Sequence, residues 1–415
     1  MSLNFSTPND PRVIFTLPFR DGLKITCLPF EKHCYLHLPD IQPAADIKTE
    51  LPEPESLYAR VQNLSILPNN RCNFHCSYCY AAASKDNTQL NKEQLFQAVK
   101  TFFSLPERRN PTVSFLGGGE PLLSRELVMD TILFIRKISP EVPINIVTNG
   151  SVSSEELKSF LRQNNVSVTV SFEVLPDVQN SQRGNYALVH RTIRELISAG
   201  IKVKIRTILT DKNILRTGEM ASVVKKEYAG ISRWLLEPVS AWSYFDSAGE
   251  AMKFWQNYRS AVRELSNLPE MAEISWNSLL KRFFKSCGGV YCDGEFTVMP
   301  SGAIGLCHRI SSPDDPLWDR WLWGSFDGRK YQLFPEKAQH FYDVPKRMKE
   351  RCGQCPAFAC CGGNCRVLTA QAEEEYIDRY CSFIRECYFE YLQDLCRSAL
   401  QNTPLPSCRY LEVKL

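Results

Sequence analysis

The chain has 415 residues, 44% of them apolar and 23% charged, and 49 basic residues against 46 acidic ones leave a net charge of +3. This length suits one large domain and a smaller one, and the near balance of charge argues against general affinity for nucleic acid or a membrane surface. No apolar run is long enough to span a membrane, and the first residues lack the apolar core of a signal peptide, so a cytoplasmic address is expected.

Residues 11 to 59 alternate apolar and polar positions between prolines. PRVIFTLPF, GLKITCLPF and HCYLHLPD predict short strands, a β appendage over 1–60, and IKTELPEPESL reads as a linker. From residue 61 the period changes. NLSIL predicts a strand leading into a cysteine-bearing loop. NKEQLFQAVKTFFSL predicts a helix with Asn91 as N-cap and Gln94 three residues on. TVSFL is a strand ending at Gly117, SRELVMDTILFIRKI a helix, and INIVT a strand closed by Asn149-Gly150. SSEELKSFLRQ is a helix capped by Ser153 or Ser154, and VSVTVSF is a strand. YALVHRTIRELISA is a helix stopped by Gly200. IKVKIRTIL, LRTGEMASVVKKEY and RWLLEPV continue as strand, helix and strand.

Such alternation predicts an α/β core over 61–245 with a parallel sheet and right-handed crossovers, open or curled into a barrel. Ligands belong at the C-terminal strand ends of either form. The cysteine loop, the glycine run and Asn149-Gly150 each follow a strand, so all three share that rim. A linking helical segment follows over 246–285. Residues 286–381 are short apolar pieces among Cys, Gly and Pro, with little core of their own, AEEEYIDRYCSFIRECYFEYLQDL predicts a final helix that closes this small domain over 286–396, and residues 397–415 read as a tail.

Seventeen cysteines in such a chain do not read as a disulfide scaffold. Soft thiolates at short spacings suit zinc or iron–sulfur clusters. Cys72, Cys76 and Cys79 lie in RCNFHCSYCY. A four-iron cube normally takes four thiolates, so three leave a corner open, as in a catalytic site. Alone, this spacing also fits half of a zinc site, and GGGEP alone is a Gly-Pro turn. A second field holds Cys287, Cys292, Cys307, Cys352, Cys355, Cys361, Cys365 and Cys381. It can supply two complete cubes or two zinc knuckles. Cys27, Cys34, Cys360, Cys387, Cys396 and Cys408 fit no pattern and read as small buried apolar residues.

Cys72-x-x-x-Cys76-x-Tyr78-Cys79, with LGGGEP, VTNG and VSFEVLPDVQNSQRG downstream, resembles the radical S-adenosylmethionine enzymes. The C-terminal cysteine order resembles their SPASM extension, found in enzymes that modify ribosomally made peptides and proteins. The resemblance spans roughly 61–396. It implies a partial (β/α)6 TIM-like barrel, a small cysteine-rich α+β SPASM domain, three 4Fe-4S clusters and S-adenosylmethionine. In that family the open iron is chelated by the cofactor's amino and carboxylate groups, and one electron cleaves its carbon–sulfur bond. The 5′-deoxyadenosyl radical then takes a hydrogen atom from substrate.

By the same resemblance Gly118, Gly119 and Glu120 belong to the motif that holds the methionine ammonium group, and Tyr78, Asn149, Ser171 and Arg183 also contact the cofactor. The family often has Asp-Gly where this chain has Glu173-Val174. The first auxiliary cluster takes Cys287, Cys292, Cys307 and Cys365. The second takes Cys352, Cys355, Cys361 and Cys381, with Cys360 as the extra thiol.

Two subgroups fit: enzymes that cross-link side chains of precursor peptides, and enzymes that oxidise a sulfatase Ser or Cys to formylglycine. The second group has an Asp base after the third auxiliary cysteine, where this chain has His308. The expectation is therefore a peptide cross-linking enzyme, with a ribosomal precursor peptide as partner and flavodoxin or ferredoxin as electron donor. A non-catalytic iron–sulfur carrier would leave GGGEP unused. Arg309, Trp318, Trp321 and Trp323 are candidate substrate contacts.

Overall fold

A computed structural model describes residues 15–19, 22–28, 33–40, 56–81, 86–280, 291–311, 313–342, 345–353, 355–402 and 410–414. Cys287 and Cys408 lie outside the described residues. Three short strands open the chain: β1 (Phe15–Pro18), β2 (Lys24–Leu28) and β3 (His33–His37), paired antiparallel in that order.

The core follows. β4 (Asn63–Ile66), β5 (Thr112–Phe115), β6 (Ile144–Thr148), β7 (Val166–Ser171), β8 (Val203–Leu209) and β9 (Arg233–Pro238) lie side by side in chain order. Every neighbouring pair is parallel. The crossovers run through helices Lys92–Ser104, Arg125–Ile138, Glu155–Gln163, Tyr186–Ser198 and Thr217–Glu227. Their starts obey local chemistry. The Asn91 side chain accepts from the amides of Glu93 and Gln94, and of the two serine candidates it is Ser154 that caps its helix, accepting from Leu157 N. Alternating burial along β8 puts one face in the core.

This is a partial barrel whose two edges are covered by further strands. β10 (Trp276–Ser278) adds parallel to β9, and β11 (Phe296–Val298) adds parallel to β4. β12 (Ile304–Gly305), β13 (Leu322–Phe326) and β14 (Tyr331–Leu333) continue from β11 antiparallel, giving eleven strands in one sheet. The second cysteine field is thus built onto the core sheet through β4, whose open edge would otherwise expose unpaired backbone groups. Helix Ala248–Asn267 packs against the long helix Glu374–Asn402. There Trp255 donates to Tyr376 Oη at 2.9 Å and packs at a tilt against Tyr380, with ring centroids 4.9 Å apart.

The tail contributes a strand. β15 (Tyr410–Lys414) pairs antiparallel with β3. Five residues of YLEVK carry too little pattern to stand out as a strand without their partner. Among the described residues no helix is long and apolar enough to cross a membrane.

Candidate functional site

The rim at the C-terminal strand ends encloses a cavity of about 360 Å³. Its wall includes Cys72, Cys76, Cys79, Gly117, Gly118 and Gly119, each placed by the turn after β4 or β5. These two loops are zipped together. Gly119 N donates to Asn69 O at 3.1 Å and Glu120 N to Arg71 O at 2.7 Å. A Cβ on Gly119 would stand 2.0 Å from Arg71 O, so only glycine permits the approach. Tyr80 Oη donates to Gly117 O at 2.7 Å and adds a third tie.

Glu120 lines the cavity yet spends its carboxylate on the protein. Oε1 accepts from Leu122 N at 3.1 Å and from Thr148 Oγ1 at 2.6 Å, and Oε2 accepts from Asn149 N at 2.7 Å. Burial pushes its carboxyl upward, opposed by these bonds. Glu120 therefore locks the glycine loop to the end of β6. Asn149, so placed, points its amide at the cysteine loop, 2.9 Å from Asn73 Oδ1 and 3.9 Å from Cys72 Sγ.

The opposite wall carries Ser171, at the end of β7, with Arg183 and Arg206. Tyr78 donates to Glu173 Oε1, Arg183 Nη1 donates to Tyr78 Oη at 2.9 Å, and Ile208 N donates to Glu173 Oε2 at 3.0 Å. Burial raises the Glu173 carboxyl to about 7, with Arg183, Tyr78 and Ile208 holding it back. Glu173 is a residue that sequence reasoning passed over as a departure from the family pattern. Its neighbour Val174 explains the departure: it sits at φ 66, fully buried. A β-branched residue there occupies backbone that favours glycine, the residue the family often has.

The third wall comes from the second cysteine field. Glu295, His308 and Arg309 line the same cavity. His308 Nδ1 and Glu295 Oε2 are 2.9 Å apart. Burial raises the Glu295 carboxyl, but the His308 charge and hydrogen bond, with those of Ser65 and Thr297, outweigh it and hold it below the usual range. The Arg309 guanidinium lies over the Tyr80 ring at 5.6 Å. Glu295 had no signal in the sequence, because only β4–β11 pairing brings it to the rim.

A second cavity of about 330 Å³ contains Cys292, Cys307 and Cys365, and shares Pro238, Val239, Ser240, His308 and Arg309 with the first. Trp321 lines it. Trp323 instead is fully buried against Phe296, with centroids 5.2 Å apart, and touches neither cavity. Cys352, Cys355, Cys361 and Cys381 form a separate group. Burial pushes Cys352 up to about 12, and Cys355 and Cys381 add to it. Cys361 is raised by burial and then by Cys355, Cys381 and Cys352. Cys360 faces elsewhere, toward Cys34 and Tyr388.

Residues 66–216 match the Radical SAM superfamily model. The chain carries a radical SAM domain over these residues. It is 20% identical to the cysteine-type anaerobic sulfatase-maturating enzyme of Clostridium novyi over 344 residues, which cover 74% of this chain and 88% of that one. It is 29% identical to the GTP 3′,8-cyclase of Campylobacter curvus over 167 residues, 36% of this chain and 48% of the cyclase. Among solved structures, anSMEcpe with bound AdoMet superposes with a TM-score of 0.61 at 19% identity, covering 81% of this chain and 99% of that one. Streptococcus suis SuiB bound to precursor peptide SuiA gives 0.54 at 14% identity, covering 77% and 74%. The fold shared with both reaches well beyond the radical SAM domain.

The site's own chemistry fits the groups this superfamily uses. Burial pushes the Cys76 thiol up and Cys79 and Cys72 push it further, against Arg183. Bunched thiols of this kind ionise readily only when metal takes up the charge. Among the described residues no three His, Cys, Asp or Glu side chains are arranged to hold a metal ion in this structure, while the thiolates of a cube bind at separate irons. Arg183 Nε and Arg206 Nε are buried in the wall without a protein partner. Such donors suit an anionic ligand.

Proposed function

We propose that this chain, built around its radical SAM domain, is an enzyme that modifies a ribosomally made precursor peptide and joins two of its side chains. With its cluster and S-adenosylmethionine bound, the first cavity supplies a 5′-deoxyadenosyl radical. Cys72, Cys76 and Cys79 would hold that cluster. The backbone of Gly118 and Gly119 would hold the methionine end, with Asn149, Ser171, Arg183 and Tyr78 around it and Glu120 fixing the loop. Cys287, Cys292, Cys307 and Cys365 would hold one auxiliary cluster and Cys352, Cys355, Cys361 and Cys381 the other.

One observation carries this reading: the two cavities share a wall made by Pro238, Val239, Ser240, His308 and Arg309. A substrate side chain held in the first lies beside thiols that would anchor an electron acceptor. Forming a bond and ending without a radical requires an electron to leave, and an auxiliary cluster on those thiols would stand across this wall to accept it. A flavodoxin or ferredoxin would supply the reducing electron. The peptide-bound SuiB structure supports a peptide as substrate.

Sulfatase maturation is the second reading, favoured by the extent of the likeness to the Clostridium novyi enzyme. Against it, the position of the expected Asp is His308, and Glu295 engages its Nδ1. The test is anaerobic reaction of the reconstituted enzyme with S-adenosylmethionine and dithionite, on a peptide encoded beside its gene and on a sulfatase peptide. Loss of two hydrogens with a fragment-resistant loop in the first supports cross-linking. An aldehyde trapped by hydrazine in the second refutes it in favour of maturation.

A further inference from the structure

Four of the six cysteines that fit neither field are not scattered. Cys27, Cys34, Cys360 and Cys396 are all buried, and three of them act on the fourth, Cys34. Cys27 on β2 stands directly opposite Cys34 on β3, and their Sγ atoms are 2.8 Å apart. Residues opposed in antiparallel strands have Cα atoms about 4.5–5.5 Å apart, inside the range of about 4.4–6.8 Å that a disulfide spans. The pair packs on helix Glu374–Asn402, with Cys27 Sγ 3.7 Å from Tyr388 Oη. Both residues are essentially unexposed, at 0% and 1%.

We propose that Cys27 and Cys34 are a modification site, a cross-strand disulfide formed by exchange with a low-molecular-weight disulfide. One thiolate attacks the small disulfide and releases one small thiol. The second then attacks the mixed disulfide and releases the other. The pair loses two protons and two electrons, and the small disulfide is reduced to two thiols. Because the packed hairpin shields both sulfurs, exchange takes place while β2 and β3 are off the helix, in a local opening or before docking. Burial also raises the Cys34 thiol, which leaves little thiolate in the closed form. The closed fold therefore preserves whichever redox state it packed around. Nothing in this inference depends on the peptide chemistry proposed above.

The test uses the full chain, held anaerobically with oxidised glutathione in mild denaturant, then quenched with N-ethylmaleimide, unfolded and digested with trypsin. Cleavage after Lys24, Lys32 and Lys48 places Cys27 in residues 25–32 and Cys34 in residues 33–48. The expected product is these two peptides linked, lighter than their sum by two hydrogens, separating on reduction, and absent from Cys34→Ser. Recovery of both as maleimide adducts after oxidation overturns the proposal. So does linkage of Cys27 to Cys360 or Cys396. Zinc at one equivalent per chain, lost in Cys27→Ser, also overturns it and would assign the four thiols to a metal.

Discussion

Gly119→Ala tests how tightly the cysteine and glycine loops are bound to each other. The new Cβ would lie 2.0 Å from Arg71 O, 2.5 Å from Arg71 C and 2.6 Å from Asn70 C, all backbone atoms. Real Cβ contacts essentially never fall below 3.0 Å, so the loops must part by about 1 Å, which strains or breaks Gly119 N–Asn69 O and Glu120 N–Arg71 O. Two backbone hydrogen bonds at about 1 kcal/mol each and overpacking of about 1–3 kcal/mol give a loss of about 3–5 kcal/mol. Gly118→Ala is the control. Its Cβ would meet Asn70 Oδ1 at 2.7 Å, the end of a side chain that can swing aside at the cost of its bond to Asp86, about 1 kcal/mol. Anaerobic urea unfolding should separate the two variants clearly, and 5′-deoxyadenosine formation should vanish in Gly119→Ala. Equal midpoints for the two would refute the reasoning.

The remaining predictions concern the opposite wall and the clusters. Glu173 is raised from 4.5 to about 7, so the folded chain keeps a proton that the unfolded chain releases. Stability falls as pH rises through that window and levels off above it, a change of about 3 kcal/mol. Glu173→Gln should remove this descent in urea titrations between about pH 5 and pH 8. Val174→Gly relieves about 1–3 kcal/mol of backbone strain and forfeits about 1.5–3 kcal/mol of burial, so its melting temperature should barely move. A drop as large as that of any buried valine would deny the strain. Three cubes mean about twelve irons per chain, and Cys72→Ala/Cys76→Ala/Cys79→Ala should retain about eight. Cys361→Ala should lose one cluster's iron, whereas Cys360→Ala should keep all of it.

The strand–helix alternation was legible because each core element carries its own signal: the Asn91 cap, the apolar runs of β5 and β6, the stop at Gly200. The three rim motifs could be placed together because parallel sheets put every strand's C-terminal end on one side. What was not legible depends on pairing at a distance. Glu295 reaches the rim only because β11 pairs with β4. β10 is only three residues long, and β15 carries charge at two of its five positions where β5 and β6 carry none. The Tyr78–Glu173–Arg183 arrangement was hidden for a different reason. Its key residue departs from the motif, and the strained backbone at Val174 that reconciles the two is invisible until φ is known. The role of Glu120 was half visible: the motif placed it in the cavity wall, and only its hydrogen bonds reveal that its carboxylate braces the loop against the end of β6.

The pairing of β3 with β15 ties together the two ends of the described chain. On the ribosome, residues 33–37 emerge about 370 residues before their partner strand 410–414, and one edge stays bare until it follows. Their sheet is completed only once residues 410–414 have emerged, and the hairpin carrying Cys27 and Cys34 settles onto Glu374–Asn402 only when that helix exists. Removing residues 410–414 would therefore be felt at residues 33–37, as an uncovered strand edge far away in sequence.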